Sequence, residues 1–588
     1  MLLSPIKKHR VLISFLVVLF SALFFRVTHL DLIEFKTDEA VNLLLAAWPL
    51  LGHGFVSGGT VSSLGILNPP IFNYILFPAV LISYDPRLVS LFVSLINVVA
   101  ILGFFLLLKK YYGLTVAIVA SLLLSFSPWA ILYSRKIWMQ DLLMPFSILF
   151  LFSIHKIIME KSEKYWILYA ASSLVLVQLH PVSAVFILIT SVFMLKKTRL
   201  NLKYAIYGIL IGILPLIPYA AYEIQNGCPN CSAFLQSRNK LSPEFSIQTF
   251  MRPFQILGVG DFRFILGDDT LTFAEKFPFA YKAREVLYSE YLMLPFGILI
   301  YIIKNKQLSF LGTAVILTTI LYFFLKIETF MHYYIILMPL LFLFLASAFS
   351  YFLRSKNFFV KMGALLLLTA ILASSVSFNR AFFELLRING GTSGDYGAAY
   401  ISSDKEARVR LDRYKNEPNF QERLLTSYIP LSYMYGYMPL SKTLYGDVLS
   451  HDIPTLENDL REDPQDKKTQ FKLLSFYTKT PETTRTIYIL REKNKHIPEY
   501  LPIYTEVLQR YMSQNLKKFY SSSRFTFFYP EHWILTEEAD GTIELKGDGY
   551  NIYIKNLGQN DMTVSCVDIE NKCNENVISE LKNSTYPL

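Results

Sequence analysis

Long apolar runs alternate with short polar connections in the first part of the chain, and the sequence becomes mainly polar after residue 378. Each run has about 15–23 residues, and roughly 20 helical residues cross a bilayer core about 30 Å thick. The pattern predicts a polytopic α-helical membrane protein with about eleven transmembrane helices within residues 1–378. The spans are predicted near residues 11–30, 87–108, 114–132, 142–158, 165–180, 182–195, 204–222, 287–303, 308–326, 331–353 and 359–378.

Composition excludes several other classes of protein. Of the 588 residues, 53% are hydrophobic and 17% are charged, whereas soluble domains have about 45–50% apolar and about 25% charged residues. A soluble enzyme, a secreted disulfide scaffold and a disordered chain are therefore excluded.

The basic residues predict the orientation in the membrane. The formal net charge is +10, and basic clusters such as 7–10, 109–110 and 196–197 occupy alternate short connections. Short basic loops stay in the cytoplasm, so the N-terminus is predicted inside and, after an odd number of spans, the C-terminus outside. We interpret the positive charge as a topology signal and expect no nucleic-acid partner. The expected location is the cytoplasmic (plasma) membrane.

Two long connections fall on the predicted outer side. The first, residues 31–86, contains the short apolar segment 71–83 with Pro78, which we interpret as a helix in the outer interface. The second comprises residues 223–286. The first span ends in Arg26-Val-Thr-His29 without a small-residue cleavage site, which predicts an uncleaved anchor.

The polar tail, residues 379–588, predicts an extracytoplasmic soluble domain of α+β or β-rich class. Strands are predicted at Thr486–Leu490, Phe525–Tyr529, Thr542–Leu545 and Tyr550–Ile554, with an Asp548-Gly549 turn. Helical patterns favour 380–387 and 497–517.

The four cysteines form two local pairs, Cys228 with Cys231 and Cys566 with Cys573. All four are predicted outside, where an oxidising compartment favours two structural disulfides. A redox motif at Cys228-Pro-Asn-Cys231 and a four-cysteine zinc site are the less favoured alternatives.

Ionisable residues are absent from the centres of the predicted spans and collect at their outer ends. This placement suits a site for an anionic lipid head group at the membrane surface rather than an ion path across the bilayer. In the first outer loop, Thr37 could cap a helix whose first turn holds Asp38 and Glu39. Alternatively, one of these carboxylates acts as a general base. Asn68, before two prolines, suits a plain turn equally well.

Two further outer segments carry candidate residues. Arg135 and Asp141 bracket a tight turn. The turn is either a plain solvated loop, or it presents Arg135 to a phosphate while Asp141 orients the arginine. His332 and Tyr333 follow the ninth predicted span, where such residues are common in an interfacial aromatic belt.

The order of these motifs resembles a known family. Taken in this order, they resemble the glycosyltransferase-C superfamily. The motifs are a span end with Arg26, TDEA at 37–40, NPP at 68–70, Pro86-Arg87-Leu88, YSR at 133–135 followed by Asp141, His180-Pro181 and HYY at 332–334. The most similar branch contains the protein O-mannosyltransferases and the lipid A aminoarabinose transferase. The resemblance covers about residues 11–353.

The resemblance implies an enzyme that takes a sugar from a polyprenyl-phosphate carrier and transfers it to an outer-face acceptor: a protein, a glycolipid or a surface polymer. It implies Asp38 as catalytic base with Glu39 as its helper, and Arg135, with Arg87 and Arg26, facing the donor phosphate. His332 and Tyr333 would line the carrier head group, with Asp141, His180 and Asn68 in support.

The sequence NPPIFNY departs from relatives that often have His or Lys before the prolines, so the role of Asn68 is open. One base acting in direct displacement implies inversion. No cofactor is implied with certainty, and the need for a divalent metal stays open, because the outer acids Asp38, Glu39 and Asp141 could bind one.

Two other functions remain open. Gly394-Asp395-Tyr396-Gly397 partly resembles the WWDYG signature of oligosaccharyltransferases, without the tryptophan pair. A lipid-carrier flippase or transporter would need no acid or base, but such proteins usually carry polar groups at mid-membrane and inverted repeats.

Overall fold

A computed structural model gives the architecture of the chain. It describes residues 5–412, except 53, 63–65, 238–244 and 328, then residues 415, 416, 424, 425 and 428, and strands between 518 and 587. Contacts divide the chain into two compact units, Met1–Ile429 and Pro430–Leu588. The first unit is helical and contains all the candidate site residues.

Helices account for nearly all regular structure of the first unit. The first eleven are α1 (Pro5–Val27), α2 (Thr37–Ala47), α3 (Ile71–Val80), α4 (Pro86–Tyr112), α5 (Leu114–Phe126), α6 (Pro128–Leu132), α7 (Leu143–Glu160), α8 (Trp166–Leu179), α9 (Ser183–Lys197), α10 (Leu202–Ile213) and α11 (Ile217–Gln225). The next ten are α12 (Pro229–Ser237), α13 (Gln248–Gln255), α14 (Arg263–Leu266), α15 (Asp269–Lys276), α16 (Pro278–Ala283), α17 (Ser289–Lys304), α18 (Phe310–Phe324), α19 (Met338–Leu353), α20 (Phe358–Asn389) and α21 (Tyr400–Leu411).

Every predicted span coincides with helical structure. Within the described residues, seven continuous helical segments are long and apolar enough to cross a membrane, and shorter apolar helices such as α5 and α18 accompany them. The seven are His9–Val27, Pro86–Tyr112, Met139–Glu160, Leu202–Gln225, Pro278–Lys304, Met331–Leu353 and Phe358–Asn389. The chain is therefore a multi-pass membrane protein, while eleven crossings and the N-in orientation stay predictions.

Local sequence explains several helix ends. Ser127 begins the short helix α6, where its side chain accepts a hydrogen bond from the amide of Ala130 at 3.4 Å and Pro128 occupies the first turn. Asn357 caps α20 in the same way, accepting from the amides of Phe359 and Val360. At the other end of α20, Gly390 adopts a left-handed φ of 73°, which ends the helix.

The helical unit extends beyond the predicted domain boundary at residue 378. Helix α20 continues to Asn389, so the helix predicted at 380–387 is its last part and not a separate element. Residues after Gly390 return to the first outer loop, and the contact division falls after Ile429. The continuous apolar run of α20 ends near 378, but the helix does not, because Phe382, Phe383, Leu385 and Leu386 of the following turns remain buried.

The outer segment predicted as an interfacial helix forms α3, which includes Pro78. Ile71, Phe72 and Leu76 are buried, and α3 packs against α2. Its position in the membrane interface stays a prediction.

The second unit contains seven described strands, and its α+β or β-rich class stays a prediction. They are β1 (Lys518–Ser521), β2 (Phe525–Tyr529), β3 (Ile534–Glu537), β4 (Ile543–Gly547), β5 (Tyr550–Gly558), β6 (Asp561–Asp568) and β7 (Tyr586–Pro587). Antiparallel pairing orders them β1-β2-β7 and β3-β4-β5-β6. Three of the predicted strands correspond to β2, β4 and β5. The strand predicted at 486–490 and the helix predicted at 497–517 lie outside the described residues.

One of the two predicted disulfides is present, between Cys228 and Cys231 in the second long outer loop. The pairing of Cys566 with Cys573 lies outside the described side chains.

Candidate active site

An extended segment of the first outer loop leads into the candidate site. Residues that follow α20 pair with this segment and form hydrogen bonds with it. Glu34 forms an antiparallel bridge with Ala399, and the amide of Tyr400 donates to the Ile33 carbonyl at 2.9 Å. The Tyr396 hydroxyl donates to the Leu32 carbonyl. These contacts fix the backbone of the segment that leads to Asp38.

Helix α2 begins immediately after this segment and carries both predicted catalytic carboxylates. Glu39 is buried and its Oε2 accepts a hydrogen bond from the amide of Lys36 at 3.1 Å, which satisfies a free amide at the helix start. Asp38 is partly exposed. The position before the helix belongs to Lys36 and not to Thr37, so the prediction that Thr37 caps it is wrong. The third residue of the helix, Glu39, supplies the hydrogen bond instead.

Glu34 is a functional candidate that the sequence reasoning missed. It is 2% exposed and forms ion pairs with Lys36, at 2.9 Å, and with Lys136. Lys36 also contacts Asp395. The available signal was a single acid inside the apolar stretch Leu32-Ile-Glu-Phe35, because a lone charge there must find a partner.

Burial and neighbouring charges shift the pKa values of both carboxylates on α2. Burial raises the pKa of Glu39 to about 8, and the negative charge of Glu34 adds to the rise. Burial also raises the pKa of Asp38, although Lys36, Lys136 and a hydrogen bond from Trp138 oppose the rise. A carboxyl with a raised pKa is better matched to proton transfer near neutral pH. Glu39 is thus the more readily protonated of the two, and Asp38 has the charged surroundings of a base.

Arg135 and Lys136 are adjacent in sequence but contact different parts of the molecule. Arg135 donates to the main-chain carbonyls of Phe25 and His29, the latter at 2.6 Å, and its guanidinium lies 4.6 Å from the Phe383 ring centre. Burial lowers its pKa to about 10. Lys136 pairs with Glu34, and although burial lowers the pKa of Lys136, attraction to Glu34 and Glu39 raises it above the usual value overall. The positive charge beside the carboxylates is that of Lys136.

Asp141 stabilises the turn between Arg135 and α7. Its Oδ2 accepts a hydrogen bond from the amide of Lys136 at 2.8 Å, and its carbonyl accepts from the Asn97 side chain at 3.1 Å. The side chain is fully buried. Asp141 therefore fixes the backbone of this turn, whereas the sequence suggested that it orients the Arg135 side chain.

Three of the predicted residues, from two distant parts of the chain, come together in an aromatic cluster. His332 lies 5.3 Å from His180 and 4.7 Å from Tyr333, and His180 lies 4.7 Å from Tyr333, as ring-centre distances. Trp138 extends the cluster toward α2, since its ring centre is 5.0 Å from that of His332. Trp138 is also close enough to Asp38 to oppose the rise in the pKa of that carboxyl, so the cluster lies beside the candidate base.

The two remaining arginines lie apart from this group. Arg26 is fully buried and donates to the carbonyls of Ala22, Leu124, Ser125 and Ala130, so it joins α1 to the connection between α5 and α6. Arg87 is half-exposed at the start of α4 and pairs with Asp85 at 2.5 Å.

Asn68 has a local structural role, and a metal site is not formed by the predicted acids. The Asn68 side chain donates to the Thr60 carbonyl at 2.8 Å, closing the loop before α3. In the described part of the chain, no three His, Cys, Asp or Glu side chains converge in an arrangement that could hold a metal ion. Asp38, Glu39 and Asp141 thus form no such set there.

No family model matches the chain, and no curated protein matches it.

Several solved structures are similar to it at low sequence identity. ArnT from Cupriavidus metallidurans bound to undecaprenyl phosphate matches with 12% identity and a TM-score of 0.46, over 73% of this chain and 85% of that one. An oligosaccharyltransferase from Archaeoglobus fulgidus, tethered to an acceptor peptide, matches with 14% identity and a TM-score of 0.39, over 73% and 60%. The arabinosyltransferase EmbB from Mycobacterium smegmatis matches with 9% identity and a TM-score of 0.33, over 73% and 41%. These are members of the glycosyltransferase group that the sequence motifs resemble. TM-scores below 0.5 describe a remote likeness and carry no conclusion about activity.

Proposed function

We propose that this membrane protein is a glycosyltransferase that moves a sugar from a polyprenyl-phosphate carrier to an acceptor hydroxyl or amine at the outer face, with inversion. The observation that carries the proposal is the position of Asp38. It is a partly exposed carboxylate at the start of α2, beside two buried or half-buried lysines and an aromatic cluster with two histidines.

Asp38 suits the part of general base. An attacking hydroxyl must lose its proton as it bonds to the anomeric carbon, and a positioned carboxylate contributes about 10²–10⁴-fold to such a step. Burial raises the pKa of Asp38, and the positive charges of Lys36 and Lys136 oppose that rise. Glu39, which is protonated more readily, is suited to hydrogen-bonding the acceptor.

The leaving group of this reaction is a polyprenyl phosphate, whose negative charge grows in the transition state. Donors held in place before the reaction stabilise such charge best where water is excluded. His180, His332 and Tyr333 meet beside Trp138, and we assign them to the carrier head group. Arg135, which is held by the Phe25 and His29 carbonyls, is kept as the candidate donor-phosphate arginine, and Lys36 and Lys136 supply positive charge beside Asp38. Arg26 and Arg87, which lie apart, are the weaker phosphate ligands.

Asp38→Asn tests the proposal. The amide cannot accept the proton, so we expect sugar transfer to fall about 10²–10⁴-fold while the protein remains folded and inserted. Mass spectrometry of lipid-linked sugars and of glycosylated products, in cells that produce either form, measures the change. The unmodified chain should yield a product that the variant does not, and the variant should accumulate the lipid-linked sugar.

Asp31→Asn is the matched control, because Asp31 is a partly exposed carboxylate in the same loop that lies before the extended segment. It should leave the product unchanged. Full product with Asp38→Asn would remove Asp38 from the role of base, and a lipid-linked sugar that changes sides without any transfer product would identify a flippase.

A protein-glycosylating oligosaccharyltransferase is the second candidate, favoured by the position of residues 394–397. Lys36 contacts Asp395, and Tyr396 is buried against the segment before α2. The backbone of Gly394 passes so close to Gly267 that a Cβ on either would overlap the other chain segment. The partly matching motif is therefore next to the candidate site. Products that are peptides modified at asparagine would favour this reading.

A further inference from the structure

A cavity lies at the opposite end of the helical unit from Asp38. Its volume is about 320 Å³, and it is lined by Tyr111 and Tyr112 at the end of α4, Met159 at the end of α7 and the segment 304–308 after α17. Helix α4 separates the two ends: Ser90, in its second turn, contacts Arg135, and Tyr112 lies about 33 Å further along at 1.5 Å per residue. The cavity is therefore remote from the candidate active site.

A buried hydrogen-bonded chain holds one wall of this cavity. His155 lies 2.6 Å from the Leu151 carbonyl through Nδ1, so Nδ1 carries the proton and donates. Its Nε2, 2.8 Å from the Tyr112 hydroxyl, must then accept from that hydroxyl. The Tyr112 oxygen in turn accepts from Tyr301 at 2.9 Å. The chain joins α4, α7 and α17, so the wall is fixed before any ligand binds.

The lining is positive. Lys304 and Lys306 belong to it, and none of the described residues that line it is acidic. Lys197 adds a third ammonium, which donates to the carbonyls of Lys306 and Gln307 at 3.2 and 2.9 Å. The nearby acid Glu160 is already paired with Lys110 and with Lys156, and it accepts from the Tyr111 hydroxyl.

The surroundings of the cavity are apolar and exposed. Met159, Ile303 and Leu195 are 41%, 63% and 55% exposed, and they belong to helices that coincide with predicted spans. In a membrane protein such side chains face acyl chains. A ligand of this cavity thus meets positive and hydrogen-bonding groups at one end and lipid at the other.

We infer that this cavity binds the phosphate of an anionic membrane phospholipid. Basic pockets between transmembrane helices are suited to such head groups, because each lysine near the surface contributes attraction and the acyl chains remain in the bilayer. A fixed polar wall lowers the cost of ordering the site. The inference concerns lipid binding alone and does not depend on the glycosyltransferase proposal.

The test uses the full chain in detergent, titrated with dioleoylphosphatidylglycerol while native mass spectrometry counts bound lipid. Lys304→Gln with Lys306→Gln should weaken the binding of the first lipid about 30-fold, given the contribution of each lysine. The control pair, Lys203→Gln with Lys361→Gln, removes two exposed charges outside the cavity lining and should bind as the unchanged protein does.

Four results would overturn the inference. The cavity variant could bind the lipid normally, or both double variants could lose affinity equally, which would indicate general charge attraction. Dioleoylphosphatidylcholine could bind as tightly, which would indicate an apolar groove without selection for charge. Inorganic phosphate at the same concentration could displace the lipid, which would indicate a site for a free anion. Sugar transfer by the cavity variant is measured separately, so failure here is distinct from failure of the proposed activity.

Discussion

The two ends of the helical unit treat their charged side chains differently. Near α2, Glu34 and Lys136 are 2% and 4% exposed and pair with each other. At the other end, Lys110 and Glu160 also pair, but their side chains are 52% and 31% exposed. The same two residue types are thus buried at one end and remain in contact with solvent or lipid head groups at the other.

The difference in burial changes what an ion pair costs and what it does to its neighbours. Burying an ion pair costs several kcal/mol per ion in desolvation, and attraction between the partners recovers this cost only with good geometry and further hydrogen bonds. Exposed pairs cost little and contribute little. A buried set of Glu34, Lys136 and Glu39 is therefore a poor means of stabilising a fold, but it shifts the pKa values of the carboxyls around it.

Lys136→Met should have the largest effect on stability among the changes that break this contrast. It leaves Glu34 buried with only Lys36 as its cation, and removal of one partner of a buried pair costs about 3–5 kcal/mol. We expect a clearly lower Tm for the full chain in detergent, measured by differential scanning fluorimetry.

The double variant Glu34→Gln with Lys136→Met separates a lost ion pair from lost packing. With no buried carboxylate left unpaired, it should recover much of the Tm that the single change loses. A single variant as stable as the unchanged protein would show that the pair is dispensable.

Glu39→Gln should change how stability depends on pH. The pKa of Glu39 is about 8 in the folded state and 4.5 in the unfolded state, so between these values the folded state binds the extra proton. The contribution of Glu39 to the free energy of unfolding is greatest below pH 4.5. It falls as pH rises toward 8, by up to about 1.4 kcal/mol per pH unit. The neutral glutamine removes this fall.

Tm measured from pH 5 to 8 should therefore decline less steeply for Glu39→Gln than for the unchanged chain. Glutamine can still accept the hydrogen bond from Lys36, so the start of α2 is preserved. Parallel curves for the two proteins would contradict the raised pKa.

Glu160→Gln should have the smallest effect. Its partners Lys110 and Lys156 are at the surface, where loss of an ion pair changes stability little. The Tm of this variant, measured beside that of Lys136→Met, gives the contrast between the two ends directly. A drop as large as that of Lys136→Met would mean that exposure does not decide the importance of these pairs.

Much of the helical unit could be predicted because apolar runs of sufficient length have few alternatives to a helix. Helix α20 continues past the predicted boundary at 378, because only the first part of this helix is a continuous apolar run and its last turns mix apolar with charged residues. Strands β2, β4 and β5 were predictable from alternating and aromatic residues. The direction in which the helices cross the membrane stays a prediction.

Neighbouring residues of the site show what sequence could not reveal. Arg135 is the expected phosphate ligand because a guanidinium suits phosphate, yet the structure places its guanidinium on the Phe25 and His29 carbonyls and Lys136 beside Glu34. In a tight turn, spacing does not determine which of two adjacent side chains points to the site. The meeting of His180, His332 and Tyr333 depends on how the residue after α8 comes together with the segment before α19, which local sequence does not encode.

The contacts between the loop before α2 and the residues after α20 have a consequence for biosynthesis. Leu32 and its partner Tyr396 are separated by 364 positions, and Glu34 meets its bridge partner Ala399 at a similar distance. At ~5–20 residues per second of translation, the loop waits on the order of tens of seconds for these residues to leave the ribosome. The loop with the candidate carboxylates is thus supported only after the long apolar helices of the described residues have been synthesised. A chain arrested before residue 396 carries Asp38 and Glu39 on a loop that lacks its contacts with Tyr396 and Ala399.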